Sequence, residues 1–223
     1  VADGIRIAPS VLSADLTRLR EQVARVLEGG ADWLHVDVMD GHFVPNLTFG
    51  AGMVAALRTL TDRPIDVHLM VEHPQNYVGP MADAGASIVT IHPEASAHVQ
   101  RDLAAIRERG LLAGLALNPA SPLAFVEEVV ADIDLLLIMT VNPGFGGQAY
   151  LPSSDDKIRR ARALLDARRS PAFLEVDGGI TPASIAGPHS AGADTFVAGN
   201  AVFASGDPAH EVRELRRRCL VTA

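Results

Sequence analysis

Short β-branched runs alternate with longer stretches of helical spacing eight times along this chain, and few architectures accept that order. The apolar runs lie at residues 5–9, 33–38, 65–70, 88–92, 113–117, 135–139, 173–177 and 195–198. Helical spacing occupies 14–28, 50–60, 74–84, 97–109, 122–131, 154–169, 182–191 and 208–220. In the first of these, Leu16, Leu19 and Val23 make one apolar stripe with charges opposite. Ser13 is placed to cap that helix and Gly29-Gly30 to end it. Gly30-Ala31-Asp32, Gly85-Ala86-Ser87 and Gly192-Ala193-Asp194 repeat one helix-to-strand turn. Eight βα units in 223 residues, with no linker or low-complexity segment, predict a single (β/α)8 TIM barrel over 1–223. An open, doubly wound sheet is the competing architecture. No strand leads into a G-x-G-x-x-G turn, so a dinucleotide fold has little support.

Composition narrows the partners. A formal charge of −8 disfavours nucleic acid and anionic membrane surfaces. A small anionic ligand is still compatible, because backbone amides bind phosphate without a basic surface. No apolar run reaches the ~20 residues of a membrane span, and no charged-then-apolar leader is visible. With Cys219 as its one cysteine the chain makes no internal disulfide, and a cytoplasmic setting is expected. Lys157 is the one lysine among nineteen Lys and Arg residues.

A barrel collects the C-terminal ends of all its strands at one face, where catalytic groups gather. His35, Asp37, His68, His92, Asn118, Met139 and Asp177 all fall near such ends. Side chains two apart on a strand share a side, so His35 and Asp37 converge. A single histidine ending a strand is more often structural than a ligand. A buried carboxylate, however, is costly without a cation, and no lysine or arginine lies close in sequence to these three strand ends. Together His35, Asp37, His68 and Asp177 suit one divalent metal (Zn²⁺, Fe²⁺, Mn²⁺ or Co²⁺) and require no organic cofactor. Asp37 and Asp177, facing each other, can take a proton from one side of a carbon and return one to the other. A metal on the neighbouring carbonyl oxygen would stabilise the enediolate.

Glycines cluster after the last strands, in Asn142-Pro143-Gly144-Phe145-Gly146-Gly147-Gln148, Gly178-Gly179 and Gly199-Asn200. Any one such loop is explained by a tight turn. Three in neighbouring units predict a phosphate cradle of backbone amides. Met39, Met70 and Met139 occupy comparable strand-end positions. Methionine is usually core filler, but here the repeat suggests an apolar wall that keeps water from the reacting carbon.

With these residues in view, the chain resembles the ribulose-phosphate 3-epimerase family. The resemblance rests on Ile7-Ala8-Pro9-Ser10-Val11-Leu12-Ser13-Ala14-Asp15, His35-Val36-Asp37-Val38-Met39-Asp40-Gly41 and Asp66-Val67-His68-Leu69-Met70-Val71. Leu117-Asn118-Pro119, Val141-Asn142-Pro143-Gly144-Phe145-Gly146-Gly147-Gln148 and Glu175-Val176-Asp177-Gly178-Gly179-Ile180 continue it in order. It implies inversion at C3 between D-ribulose 5-phosphate and D-xylulose 5-phosphate, a step of the pentose phosphate pathway, by a homo-oligomer. It also implies a metal on His35, Asp37, His68 and Asp177, and an acid/base pair in Asp37 and Asp177. Ser10 and His68 would touch the substrate. Gly144, Phe145, Gly146, Gly147, Gly178, Gly179, Gly199 and Asn200 would hold its phosphate end. Asn200 departs from the serine of many relatives, although its amide still donates. Related epimerases act on D-allulose 6-phosphate, so the six-carbon substrate is the nearest alternative; a non-catalytic sugar-phosphate-binding barrel is another. A Schiff-base aldolase needs a strand-end lysine, and Lys157 begins a helix instead. Similar decarboxylases carry Asp-x-Lys where this chain has Asp66-Val67-His68.

Overall fold

The computed structural model describes residues 4–221. Its strands are β1 (Arg6–Pro9), β2 (Leu34–Met39), β3 (Ile65–Met70), β4 (Ile88–Ile91), β5 (Leu112–Leu117), β6 (Leu135–Met139), β7 (Phe173–Asp177) and β8 (Thr195–Ala198). The helices are α1 (Leu19–Glu28), α2 (Ala51–Arg58), α3 (Gln75–Asp83), α4 (Val99–Glu108), α5 (Ala124–Glu127), α6 (Ser154–Ala167), α7 (Ala186–Ser190), α8 (Asn200–Phe203) and α9 (Pro208–Val221). All strand pairs are parallel, in the order β1-β8-β7-β6-β5-β4-β3-β2. The seam between β1 and β2 is joined by a parallel bridge between Ser10 and His35, and by Asp32 N–H donating to the Ile7 carbonyl at 3.0 Å. The nearly closed sheet with its alternating helices is the TIM barrel expected from the eightfold alternation, not the open sheet.

Both faces of a barrel strand are buried, which explains the near-continuous apolar runs. Leu34, Val36 and Val38 of β2 pack outward with Ile65, Val67 and Leu69 of β3 in the core shared with the helices. The alternate residues face inward. At the N-terminal end of the interior, Trp33, Ile88, Leu135 and Phe173 form an apolar plug. The Trp33 and Phe173 rings meet edge-on at 5.3 Å, and the Arg6 guanidinium lies 4.1 Å over Phe173. Toward the C-terminal end the interior turns polar. His35, Asp66, His68, Thr90, His92 and Glu175 are all fully buried there.

The repeated helix-to-strand turn is built as a clamp. Gly30, Gly85 and Gly192 adopt φ of 89°, 97° and 108°, which closes each helix and redirects the chain. The residue after the alanine then reaches back to the previous strand. Asp32 accepts from Ile7 N–H at 2.8 Å, Ser87 from Ile65 N–H at 3.2 Å, and Asp194 from Leu174 N–H at 3.2 Å. Asp134 does the same for Ala113 N–H at 3.0 Å. An arginine backs each one: Arg216 on Asp32, Arg58 on Ser87, Arg162 on Asp194 and Arg107 on Asp134.

Several local expectations are corrected. Ser13 does not cap the first helix. Ser10 Oγ accepts from Leu12 N–H and Asp15 Oδ1 from Thr17 N–H, so two 3₁₀ turns, Val11–Ser13 and Leu16–Arg18, precede α1. The helices expected at 122–131 and 182–191 shorten to α5 and α7. In the latter, Thr181 and Ser184 bond each other and Ser184 Oγ donates to the Gly179 carbonyl at 2.7 Å, holding 181–184 as a turn. The four-residue α8, with Gly199 at its N-cap, is too short to leave a periodic signal.

Candidate active site

Four of the buried polar groups are brought together by register. β2 and β3 pair with Asp37 opposite His68, and His35 stands beside Asp66. Asp177 ends β7 on the far side of the interior. One ligand atom from each of His35, Asp37, His68 and Asp177 lies within 4.8 Å of the others. His35 Nε2 faces Asp37 Oδ1 at 3.4 Å, while His68 Nδ1 faces Asp37 Oδ1 at 3.3 Å and Asp177 Oδ2 at 4.0 Å. Ser10 Oγ donates to the other Asp37 oxygen at 2.5 Å.

Electrostatics separates the two aspartates. Burial opposes the charge of Asp37, but the charge of the adjacent His35 and the close approach of the His35 and His68 rings hold its carboxyl far below the ordinary range. Burial, then the Asp37 charge, push Asp177 up to about 7. Asp37 is therefore a carboxylate at neutral pH, while Asp177, with no cation bound, gains and loses its proton near neutrality. Burial lowers His68 to about 4, favouring a neutral ring with a free lone pair. His35 is driven the other way: burial opposes its charge, yet Asp66 and Asp37 together make its surroundings strongly favour positive charge.

The donor set fits a metal. His35 Nε2 is buried with no hydrogen-bond partner, and it points at a carboxylate in a group of two nitrogen and two oxygen donors. Mixed imidazole and carboxylate donors suit borderline divalent ions.

Above this group opens a cavity of about 320 Å³. Ser10, Asp37 and Asp177 line it beside Met39, Met70 and Met139. The opposite wall contains Gly144, Phe145, Gly146, Gly147, Gly178, Gly179, Gly199 and Asn200. The loop after β6 is held down by Asn46 Nδ2, which donates to the Gly144 carbonyl at 3.1 Å, and by Gln148 Nε2, which donates to the Asn142 and Phe145 carbonyls at 2.7 and 2.9 Å. Gly178 and Gly179 have φ of 118° and 68°. A Cβ on Gly179 would lie 2.2 Å from the Tyr150 backbone nitrogen, so only glycine fits there.

The sequence pattern of the ribulose-phosphate 3 epimerase family matches residues 6–203. That coverage decides the family.

The chain belongs to the ribulose-phosphate 3-epimerase family.

Ribulose-phosphate 3-epimerase 1 of Cupriavidus necator is 53% identical over 207 residues, covering 91% of this chain and 86% of that protein. The ribulose-phosphate 3-epimerase of Synechocystis is 49% identical over 218 residues, covering 97% and 95%. That of Escherichia coli is 49% identical over 211 residues, covering 94% of each. Among solved structures, 3-hexulose-6-phosphate synthase from Salmonella typhimurium superposes with a TM-score of 0.72 at 18% identity, covering 98% of this chain and 100% of that one. A tryptophan synthase α-subunit from Pyrococcus furiosus gives 0.68 at 14% identity, covering 98% and 97%. At such identities only the barrel is shared.

In this epimerase-family chain the structure gathers the four residues expected as metal ligands, and the other expected site residues fall in the cavity wall. His35 and His68 stand behind that wall, fully buried. Asn118, grouped with them from its strand-end position, is instead absent from the lining and bonds Glu94 at 3.0 Å. Ser13, Thr181 and Ala201 are among the residues of the cavity wall that had no site role from sequence. The same holds for a second buried layer, in which Asp66 Oδ2 meets His35 Nδ1 at 2.6 Å and Glu175 lies beside it. Burial and the Asp66 charge hold the Glu175 carboxyl well above its ordinary range. Spacing alone signals this layer. Asp66 and Glu175 each stand two residues before a strand-end aspartate or histidine, on the same face.

Proposed function

We propose that this chain interconverts D-ribulose 5-phosphate and D-xylulose 5-phosphate by removing and returning the C3 proton through a 2,3-enediolate. The observation that carries the reading is the pair Asp37 and Asp177, two carboxyls in the wall of one cavity, facing His68 Nδ1 at 3.3 and 4.0 Å. Asp37 is the base on one face of C3 and Asp177 the acid on the other; the roles exchange in the reverse direction. Ser10 holds the Asp37 carboxylate by its 2.5 Å bond and lines the cavity, where it would meet a substrate hydroxyl. His35, Asp37, His68 and Asp177 would hold one divalent ion, Zn²⁺, Fe²⁺, Mn²⁺ or Co²⁺, whose charge stabilises the enediolate. Met39, Met70 and Met139, each at most 3% exposed, close the apolar side of the cavity and keep water from the carbanionic carbon. The amides of the 144–147 loop, Gly178, Gly179, Gly199 and Asn200 bind the phosphate dianion. His68 acts beneath the substrate rather than on it, since it is wholly buried.

Exchange of the substrate C3 proton in deuterated water, followed by ¹H NMR on zinc-loaded protein, tests the reading. Loss of the C3 signal supports it, and a signal stable with zinc bound removes it in favour of a non-catalytic binder. Parallel kinetics on D-allulose 6-phosphate separates the pentose from the hexose substrate. A cytoplasmic setting and self-association belong to the same proposal. A buried lone Cys219 accords with the first and exposed Leu16, Phe125 and Leu220 with the second. Among the described residues no helix is long and apolar enough to cross a membrane.

A further inference from the structure

Behind His68 runs a line of groups that the proposed chemistry does not use, buried at His92 and reaching solvent at Glu94. His68 Nε2 and His92 Nε2 are 2.8 Å apart, so one proton lies between them. His92 is fully buried, with its ring 4.8 Å from that of Phe43. Its other nitrogen, Nδ1, has no close hydrogen bond and lies 3.4 Å from Glu94 Oε2. Glu94 is itself fixed through its other oxygen. Oε1 accepts from Asn118 Nδ2 at 3.0 Å, from Asn118 N–H at 3.4 Å and from the Ser121 hydroxyl.

We propose that Glu94, acting through His92, is a positioning residue that sets the tautomer of His68 and so leaves its Nδ1 free for the metal. The inference rests on the ligand role proposed above for His68. A neutral His68 that offers the Nδ1 lone pair carries its proton on Nε2 and donates it to His92 Nε2. His92 then carries its own proton on Nδ1, toward the Glu94 carboxylate. In the opposite arrangement His92 would hold its proton at Nε2 and turn a bare Nδ1 lone pair toward a carboxylate oxygen. That arrangement is repulsive in a buried setting, even at 3.4 Å. It would also place the His68 proton on Nδ1, where the cation binds. Metal-ligating histidines commonly have the second nitrogen fixed in this way. Here the fixing group stands one imidazole further out, and the direct counterpart is Asp66 on His35 Nδ1.

Glu94→Gln provides a sharp test. Asn118 and Ser121 both donate to Oε1, so they keep the amide oxygen at that position and leave the amide nitrogen facing His92. An N–H donor there reverses the relay. Zinc affinity, measured by competition with a chromophoric chelator, is expected to fall about 10–100-fold. Thermal unfolding of the metal-free variant reports whether the fold is intact. Long-range ¹H–¹⁵N correlation of the wild-type histidines gives an independent readout: with zinc bound His92 carries its proton on Nδ1, whereas in the metal-free chain His68 Nδ1 faces Asp37 Oδ1 at 3.3 Å and donates to it. Wild-type zinc affinity in Glu94→Gln, or an Nε2–H tautomer of His92 in the zinc-loaded wild type, overturns the inference. A wild-type chain that binds no zinc overturns the ligand role of His68 on which the inference rests.

Discussion

Asp177 concentrates the chemistry at the scale of single residues, because its raised carboxyl is meaningful only beside a depressed Asp37. Asp177→Asn preserves the volume and the cavity wall but can neither hold nor return a proton. Turnover is expected to fall about 10²–10⁴-fold, the usual contribution of general acid–base catalysis, while phosphosugar binding persists. Steady-state kinetics with a separate binding titration checks this; near-normal turnover would remove Asp177 from the acid role. A second residue, Lys157, titrates far from the chemistry. The residue is 6% exposed, its ammonium donates to the Asn118 carbonyl at 2.6 Å, and burial lowers it to about 8 against 10.5 in an open chain. Between those values the unfolded chain binds more protons, so stability contributed by this site rises with pH from about 8 to 10.5. Relative to Lys157→Met, wild-type protein should therefore gain melting temperature across that interval; a constant difference would mean an unshifted lysine. His35, Asp37, His68 and Asp177 were legible in the sequence because strand periodicity makes i and i+2 convergent. His92 and Glu94 were not legible as a pair. Their contact depends on a 3₁₀ turn at Pro93–Ala95 and on Asn118 and Ser121 arriving after β5.

The elements divide their duties by end. At the N-terminal rim the clamps of Asp32, Ser87, Asp134 and Asp194 each satisfy a strand amide that would otherwise lack a partner where the ladder begins. Removing one leaves a part-buried N–H unpaired, at a cost of about 1–3 kcal/mol. Asp194→Ala also removes the carboxylate that Arg162 meets at 2.8 Å, leaving that guanidinium the Gly192 carbonyl and Asp166. The expectation is a melting temperature lower by about 2–12 °C, from about 2–4 °C per kcal/mol in a chain of this size, with kcat/KM unchanged. Calorimetry and kinetics on one preparation check both parts. A loss of activity at unchanged stability would contradict the division. The strands were readable because both faces are apolar and turn residues bound them. The short α5, α7 and α8 were not, since four or five residues carry too little periodicity to compete with local side-chain bonds such as Ser184 to Gly179.

At the scale of the whole molecule, barrel closure is what creates the site. The four proposed ligands come from β2, β3 and β7, so more than a hundred residues separate Asp37 from Asp177 along the chain. An unfolded chain cannot present them together, and a metal that binds only the folded state stabilises it by mass action. With free zinc at about a hundred times its dissociation constant the gain is about 2.7 kcal/mol. For a chain of this size that is a rise of about 5–10 °C in melting temperature, reversed by a chelator. Asp177→Asn replaces a proposed anionic ligand by a neutral amide and should shrink the rise at the same zinc concentration. Asp194→Ala, at the other end of the barrel, should lower the metal-free and the zinc-loaded melting temperatures together and leave their difference intact. Scanning calorimetry of the three proteins with and without zinc separates these outcomes. If zinc raises all three melting temperatures equally, the ion binds elsewhere on the barrel and Asp177 is no ligand.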